Sequence, residues 1–253
     1  LSSCKNVLYI YIKLKNIMKK ITLLLLLLFV LGVYSQERTH WQAYSFSIDG
    51  SDEETVVSLL DKQFSSNKTE GVTAYLYSVM FSDSEFDVSH QVIFTGNADA
   101  LNKMWSSGPN LETQLFFSKM NNYFKEGGSS GNGTTVLNFN SETVFPFQVV
   151  SIVNSNSWSS RDIMRNTMKT LNKKYPRDDR GTIHGNIISG VHPQGTHYFV
   201  SGYKSYGDLL ESDRSFRINN PNYMKDRLKM NKDVDWDTFK RVRKFTRVLV
   251  KKW

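Results

Sequence analysis

The chain has 253 residues, 40% of them hydrophobic and 13% aromatic, which is enough for one sizeable core or two small ones. Its 32 basic and 24 acidic residues give a formal charge of +8, but five lysines before residue 36 meet no acid, and residues 213–253 hold 13 basic against 5 acidic side chains. The single cysteine, Cys4, excludes a disulfide framework and a cysteine-built metal centre.

Met18 opens Met-Lys-Lys ahead of an apolar run at 23–33, and Val33 and Ser35 stand at the −3 and −1 positions of a cut before Gln36. This predicts a secretory signal peptide over 18–35 and an exported protein, periplasmic or extracellular. Residues 1–17 precede the better start and read as mistranslated upstream sequence. The apolar run is short for a membrane span, so no stable span is expected after cleavage; retention as an anchor is the alternative. Cys4 leaves with this segment, and Gln36 rather than cysteine follows the cut, which excludes a lipid anchor there.

From residue 36 the pattern changes. Residues 41–48 are β-rich and aromatic. A helix over 52–64 follows, with acids in its first turn and Val56, Leu59, Leu60 and Phe64 at helical spacing. Strands are expected at 72–81 and 91–95, then helices at 97–105 and 111–124, a flexible loop at 126–133 and a strand at 134–140. The second half reads as a strand at 147–153, a helix at 160–174, strands at 182–191 and 197–201 around the turn His-Pro-Gln-Gly, and a short helix at 206–212. A helix at 236–244, with Asp235 as its cap, and a strand at 245–252 complete the chain.

Set against residue n + 106, Trp-Gln-Ala-Tyr-Ser-Phe-Ser at 41–47 meets Phe-Gln-Val-Val-Ser-Ile-Val at 147–153, and 92–96 meets 198–202. The helix at 52–64 meets 159–171, and a small shift aligns 71–81 with 181–191. Gly-Pro-Asn at 108–110 has a counterpart in Asn-Pro-Asn at 220–222. The order of element types repeats. The expected fold is therefore α+β: two β-α-β-β-α-β repeats, at 36–140 and 141–253, packed as one unit.

This arrangement, over about residues 40–252, resembles the dimeric α+β barrel (ferredoxin-like) superfamily with both halves in one chain. The resemblance rests on element order and the internal repeat. It implies two facing four-stranded sheets, with small ligands held between sheet and helices or within the barrel. Members of that superfamily include cofactor-free monooxygenases and haem-handling enzymes.

Strand alternation sorts the candidate residues by face. Tyr75 and Tyr77 share one face of the second strand, and Ala74 and Leu76 the other. The aligned strand puts His184 and Asn186 where the first half has Ala74 and Leu76. His184 and Asn186 are the candidate catalytic pair if a pocket reaches them, since histidine titrates near neutral pH; the alternative is a pair facing water. Trp41, Tyr75, Tyr77 and His197 are the candidate ligand contacts, although core filling accounts better for strand aromatics. His184 and His192 lie roughly 26 Å apart along a straight strand, and no carboxylate joins His192 and His197, so no metal is assigned. No glycine-rich phosphate loop or nucleophile elbow is present, and no cofactor is assigned.

The expected function is that of an exported small-molecule-binding or structural protein. A cofactor-independent monooxygenase-like enzyme is one alternative. Binding of an anionic surface through Arg241, Arg243, Lys244 and Arg247 is another. Nucleic acid is not an expected partner of an exported protein.

Overall fold

A computed structural model of the protein describes residues 38–253 apart from positions 84, 107, 109 and 126. Cys4, the segment 1–17 and the signal peptide expected at 18–35 lie outside the described residues. The first half contains β1 (His40–Phe46), α1 (Glu53–Ser66), β2 (Thr73–Phe81), β3 (His90–Gly96), α2 (Ala98–Ser106), α3 (Leu111–Met120) and β4 (Ser129–Phe139). The second contains β5 (Phe147–Ser155), α4 (Trp158–Lys174), β6 (Arg180–Gly190), β7 (His197–Tyr203), α5 (Tyr206–Asn219), α6 (Tyr223–Met230) and β8 (Phe239–Lys252).

The strands form one closed antiparallel barrel in the order β1-β3-β2-β8-β5-β7-β6-β4. Taken by halves, this is β4-β1-β3-β2 followed by β8-β5-β7-β6, so the strand order of the first half recurs in the second. The two seams join edge to edge, β2 to β8 and β4 to β6. Closure pairs every edge, which removes the exposed ladder that an open four-stranded sheet would carry.

α1 packs outside the barrel because its apolar residues fall on one stripe: Val56 and Leu60 are buried against Phe46, Leu76 and Val92. Burying a side chain such as Leu60 is worth about 1.5–3 kcal/mol. Glu53 and Glu54 sit in the first turn, where the helix dipole favours them. α4 is capped by Ser157, which accepts from the Ser160 N–H, and it ends in Lys173 and Lys174.

The faces of the strands correct the residue-level alignment. Trp41, Ala43 and Ser45 of β1 face the barrel interior, and so do Gln148, Val150 and Ile152 of β5. The matching offset is therefore n + 107. Phe147, which n + 106 pairs with Trp41, points outward against Tyr206 of α5. A one-residue slip turns every side chain to the opposite face; the element order survives it, but the pairing of Trp41 with Phe147 does not.

Three local expectations also change. The helix expected at 236–244 is a single 3-10 turn, Trp236–Thr238, capped by Asp235, after which β8 starts at Phe239 and pairs with β5. Five of the eight residues of the glycine-rich loop expected at 126–133 are strand, because β4 begins at Ser129 between β1 and β6. The basic cluster divides: Arg241 and Lys244 are exposed, Arg243 donates to the Val191 carbonyl and lies over Phe86, and Arg247 points into the barrel. Alternation along β8 forbids all four from sharing one surface.

The glycines of the β4–β6 seam are required by close approach. A Cβ on Gly133 would run into the Asn186 carbonyl and the Trp41 ring, and one on Gly185 into the Thr134 carbonyl and the Tyr198 ring. Gly185→Ala is expected to destabilise the protein by about 1–3 kcal/mol, seen as a lower urea midpoint at unchanged slope. An unaltered midpoint would show that the seam has slack.

Candidate functional site

Closing the barrel creates two distinct layers in which chemistry can sit: its interior, and the space between its outer face and the helices. The interior holds a cavity of about 360 Å³. Trp41, Ile93, Val150, Val200 and Phe245 supply apolar wall, and Tyr75, Tyr77 and Tyr198 add aromatic wall with polar tips. The Trp41 and Tyr198 rings meet edge to face at 5.1 Å, and the Tyr198 hydroxyl contacts Thr135 Oγ1 at 2.9 Å. Burial pushes the Tyr198 phenol up to about 12 and raises Tyr77 as well.

A polar belt crosses this interior. Arg247 Nε and Nη2 donate to Gln148 Oε1 at 3.0 and 2.7 Å, and Nη1 donates to Gln91 Oε1 at 2.9 Å. Gln91 Nε2 passes a bond to Ser45 Oγ at 2.8 Å, and Gln148 Nε2 passes one to the Tyr77 hydroxyl at 3.1 Å. The guanidinium lies 4.1 Å from the centre of the Tyr77 ring.

The outer layer differs between the halves. Val56 and Leu60, fourth and eighth in α1, face Leu76 and Val92. The fourth and eighth residues of α4 are Arg161 and Arg165, and they meet His197 and Asn186. Arg161 Nη1 donates to His197 Nε2 at 3.0 Å, which leaves Nδ1 to carry the ring proton toward Thr196 Oγ1 at 2.8 Å. Arg165 Nη2 donates to Asn186 Oδ1 at 2.5 Å. His184 is fully buried, packed on Phe199 with ring centres 4.5 Å apart, and neither of its ring nitrogens has a hydrogen-bond partner among the described residues. Burial, reinforced by the two arginines, holds His184 down at about 3 and His197 at about 4.

The candidate residues therefore separate. Trp41, Tyr75 and Tyr77 line the cavity. His184, Asn186 and His197 share the layer beneath α4, on the other side of the sheet, and His184 is turned neither to the cavity nor to water. His192 stands at the turn, its Nδ1 accepting from the Gln194 N–H. The sequence reading passed over Gln91, Gln148 and the inward aim of Arg247. One signal was available: Ser89-His90 and Thr196-His197 recur at n + 107, each histidine Nδ1 lying 2.8 Å from the preceding hydroxyl. That pair fixes the true register.

No protein-family model matches the chain, and no curated protein matches it in sequence. Solved structures do share its architecture. An anthrone oxidase-like protein superposes with TM-score 0.55 at 8% identity, over 87% of this chain and 94% of its own. A candidate monooxygenase from Fusobacterium nucleatum does so with TM-score 0.57 at 12% identity, over 86% of this chain and 94% of its own. One from Lactobacillus acidophilus gives TM-score 0.54 at 13% identity, over 85% and 94%. These neighbours are dimeric α+β barrel, ferredoxin-like proteins, and the likeness establishes that fold for this chain.

The outer layer predicts acid lability. Both histidines have folded pKa values below the unfolded value of about 6.5, so the unfolded chain binds more protons between that value and about 3 or 4. Their contribution to stability is complete above about pH 6.5 and is lost as the pH falls through that window. At pH 5 each should cost roughly 2 kcal/mol relative to pH 7. His184→Leu removes two unpartnered nitrogens and is expected to raise the urea midpoint at pH 5 and flatten its pH slope. A slope identical to that of the unmodified protein would refute this.

Proposed function

We propose that the protein is an exported small-molecule-binding barrel whose ligand occupies the interior cavity. In this reading the chain consists of two ferredoxin-like repeats, at 36–140 and 141–253, fused as a pseudo-dimer. The recurrence of strand order β4-β1-β3-β2 as β8-β5-β7-β6 supports that division. The export half of the reading rests on the residues at 18–35.

The observation that carries the binding role is the cavity itself: about 360 Å³ inside a closed sheet, mostly apolar and aromatic, with one convergent polar belt. Pockets that hold small ligands have this composition and size. Binding is favoured over proton-transfer catalysis by the lining. Among the described residues it contains no histidine, its one carboxylate is Glu142 on an exposed turn, and its buried phenols Tyr77 and Tyr198 titrate above their ordinary range. Neither phenol is ionised near neutral pH to serve as a base.

A second reading, cofactor-independent oxygenation, is favoured by the likeness in fold to the anthrone oxidase-like protein and the candidate monooxygenases. With the lining described, it requires a substrate that ionises without an enzymic base. Oxygen uptake with an anthrone such as dithranol, abolished by a cavity-filling substitution, would support it over simple binding.

Two measurements test the binding reading. Native mass spectrometry of protein purified from its own host should show a retained small molecule. Ala43→Leu, which adds a branched side chain to the cavity wall, should abolish that adduct, at a stability cost of about 1–3 kcal/mol. An adduct retained in full by the Ala43→Leu protein would place the ligand outside the barrel.

A further inference from the structure

The side chain that the cavity reading leaves unexplained is Arg247. It is 7% exposed and stands in the barrel wall with three hydrogen bonds, all to the amide oxygens of Gln91 and Gln148. None of the ion pairs among the described residues includes it. The groups that act on its charge are the phenols of Tyr77 and Tyr198, and burial drives its pKa down from the ordinary arginine value. A guanidinium stays protonated in proteins, so the barrel carries a positive charge in a mostly apolar space. Removing such an ion from water costs several kcal/mol. Amide dipoles and the Tyr77 ring offset part of that cost and supply no opposite charge.

The donor count points the same way. A guanidinium has five N–H groups, and three are engaged here, leaving one on each terminal nitrogen. Gln91 and Gln148 have each spent their own amide N–H on Ser45 and on Tyr77, so their oxygens are fixed toward Arg247 and its plane is held. Lys252, also in the lining, is a second cation, and it lies over the Tyr75 ring at 5.7 Å. Among the described residues the single lining carboxylate is Glu142, in the exposed turn at 141–143.

We propose that Arg247 is the anchor for a carboxylate, and that the ligand of the barrel is an aromatic monocarboxylate whose ring system lies among Trp41, Tyr77, Tyr198 and Phe245. This rests on the binding reading above and names the ligand class for the same cavity. A carboxylate is planar and matches the guanidinium fork, and its charge neutralises the buried cation one for one. A dianion would bring one charge more than the buried Arg247 offsets, to be met only by Lys252 held over the Tyr75 ring. A neutral ligand would leave the cation as it stands. Lys252 would favour the approach of an anion over that of its neutral analogue.

The test uses 2-naphthoate and its neutral isostere 2-naphthamide, titrated calorimetrically into the full-length protein, the Arg247→Met and Arg247→Lys variants, and Ala43→Leu. The unmodified protein should bind the acid about tenfold or more tightly than the amide, the scale of a charge-assisted hydrogen bond. Arg247→Met should bring that ratio close to one. Arg247→Lys, which keeps the charge and loses the fork, should fall between. If Arg247→Met does not fold, the acid-to-amide ratio of the unmodified protein and its drop in Arg247→Lys decide the matter. Equal affinities for acid and amide, both abolished by Ala43→Leu, would overturn the role of Arg247 while leaving the cavity a binding site. Binding of neither probe, or acid binding indifferent to Ala43→Leu, would overturn both.

Discussion

Closure of the sheet is the constraint on which everything else depends. Four antiparallel strands leave two edges, each a row of unpaired N–H and C=O groups that must find partners. Here β2 pairs with β8 and β4 with β6, so the edges of one half satisfy those of the other. Once the ring is shut, each strand residue has one of two fates. It faces the interior or it faces the helices, and the alternation of the backbone decides which. The cavity, the polar belt and the buried histidines are consequences of that assignment.

The polar belt ties the halves together across the β2–β8 seam. Arg247 is on β8 and Gln148 on β5, whereas Gln91 is on β3 and Tyr77 on β2. Its hydrogen bonds therefore run through side chains of both halves and orient one another in a low-dielectric space. The geometry is rigid because each glutamine is held at both ends. A cation held this way is poised for a partner without further reorganisation.

The outer layer shows how two similar frames acquire different interiors. Under α1 the sheet meets Val56 and Leu60, and the contact is ordinary apolar packing. Under α4 the corresponding turns carry Arg161 and Arg165, and the strands answer with His197 and Asn186. Even the shared hydroxyl–histidine pairs diverge: His90 lies 3.4 Å from Glu53, while His197 takes a bond from Arg161. The second half thus keeps His184 and His197 neutral with positive charge beside them. This layer bears on stability and its response to acid and lies on the opposite side of the sheet from the interior cavity.

Much of the frame was legible in the sequence. Periodicity marked α1 and α4, turn residues bounded β2, β3, β6 and β7, and the repeated order of elements gave the α+β class. What misled was local. Residues 236–244 begin with a good cap and contain few breakers, yet β5 offers a paired ladder that a helix would forgo, and the segment becomes strand from Phe239. Ser129 to Gly133 looks like a linker, yet it pairs with both β1 and β6, and a Cβ on Gly131 or Gly133 would run into Val191 or the Trp41 ring.

By itself, then, the sequence determined most of the strands and helices and that their order occurs twice, because propensity and periodicity are local properties of the chain. Only the tertiary structure decided which face of each strand looks inward. An offset of n + 106 or n + 107 preserves the same pattern of elements but exchanges interior for exterior, and the choice is made by pairing with strands distant in the chain. That choice put Arg247 in the barrel instead of on a basic surface, and His184 beneath a helix instead of in a pocket.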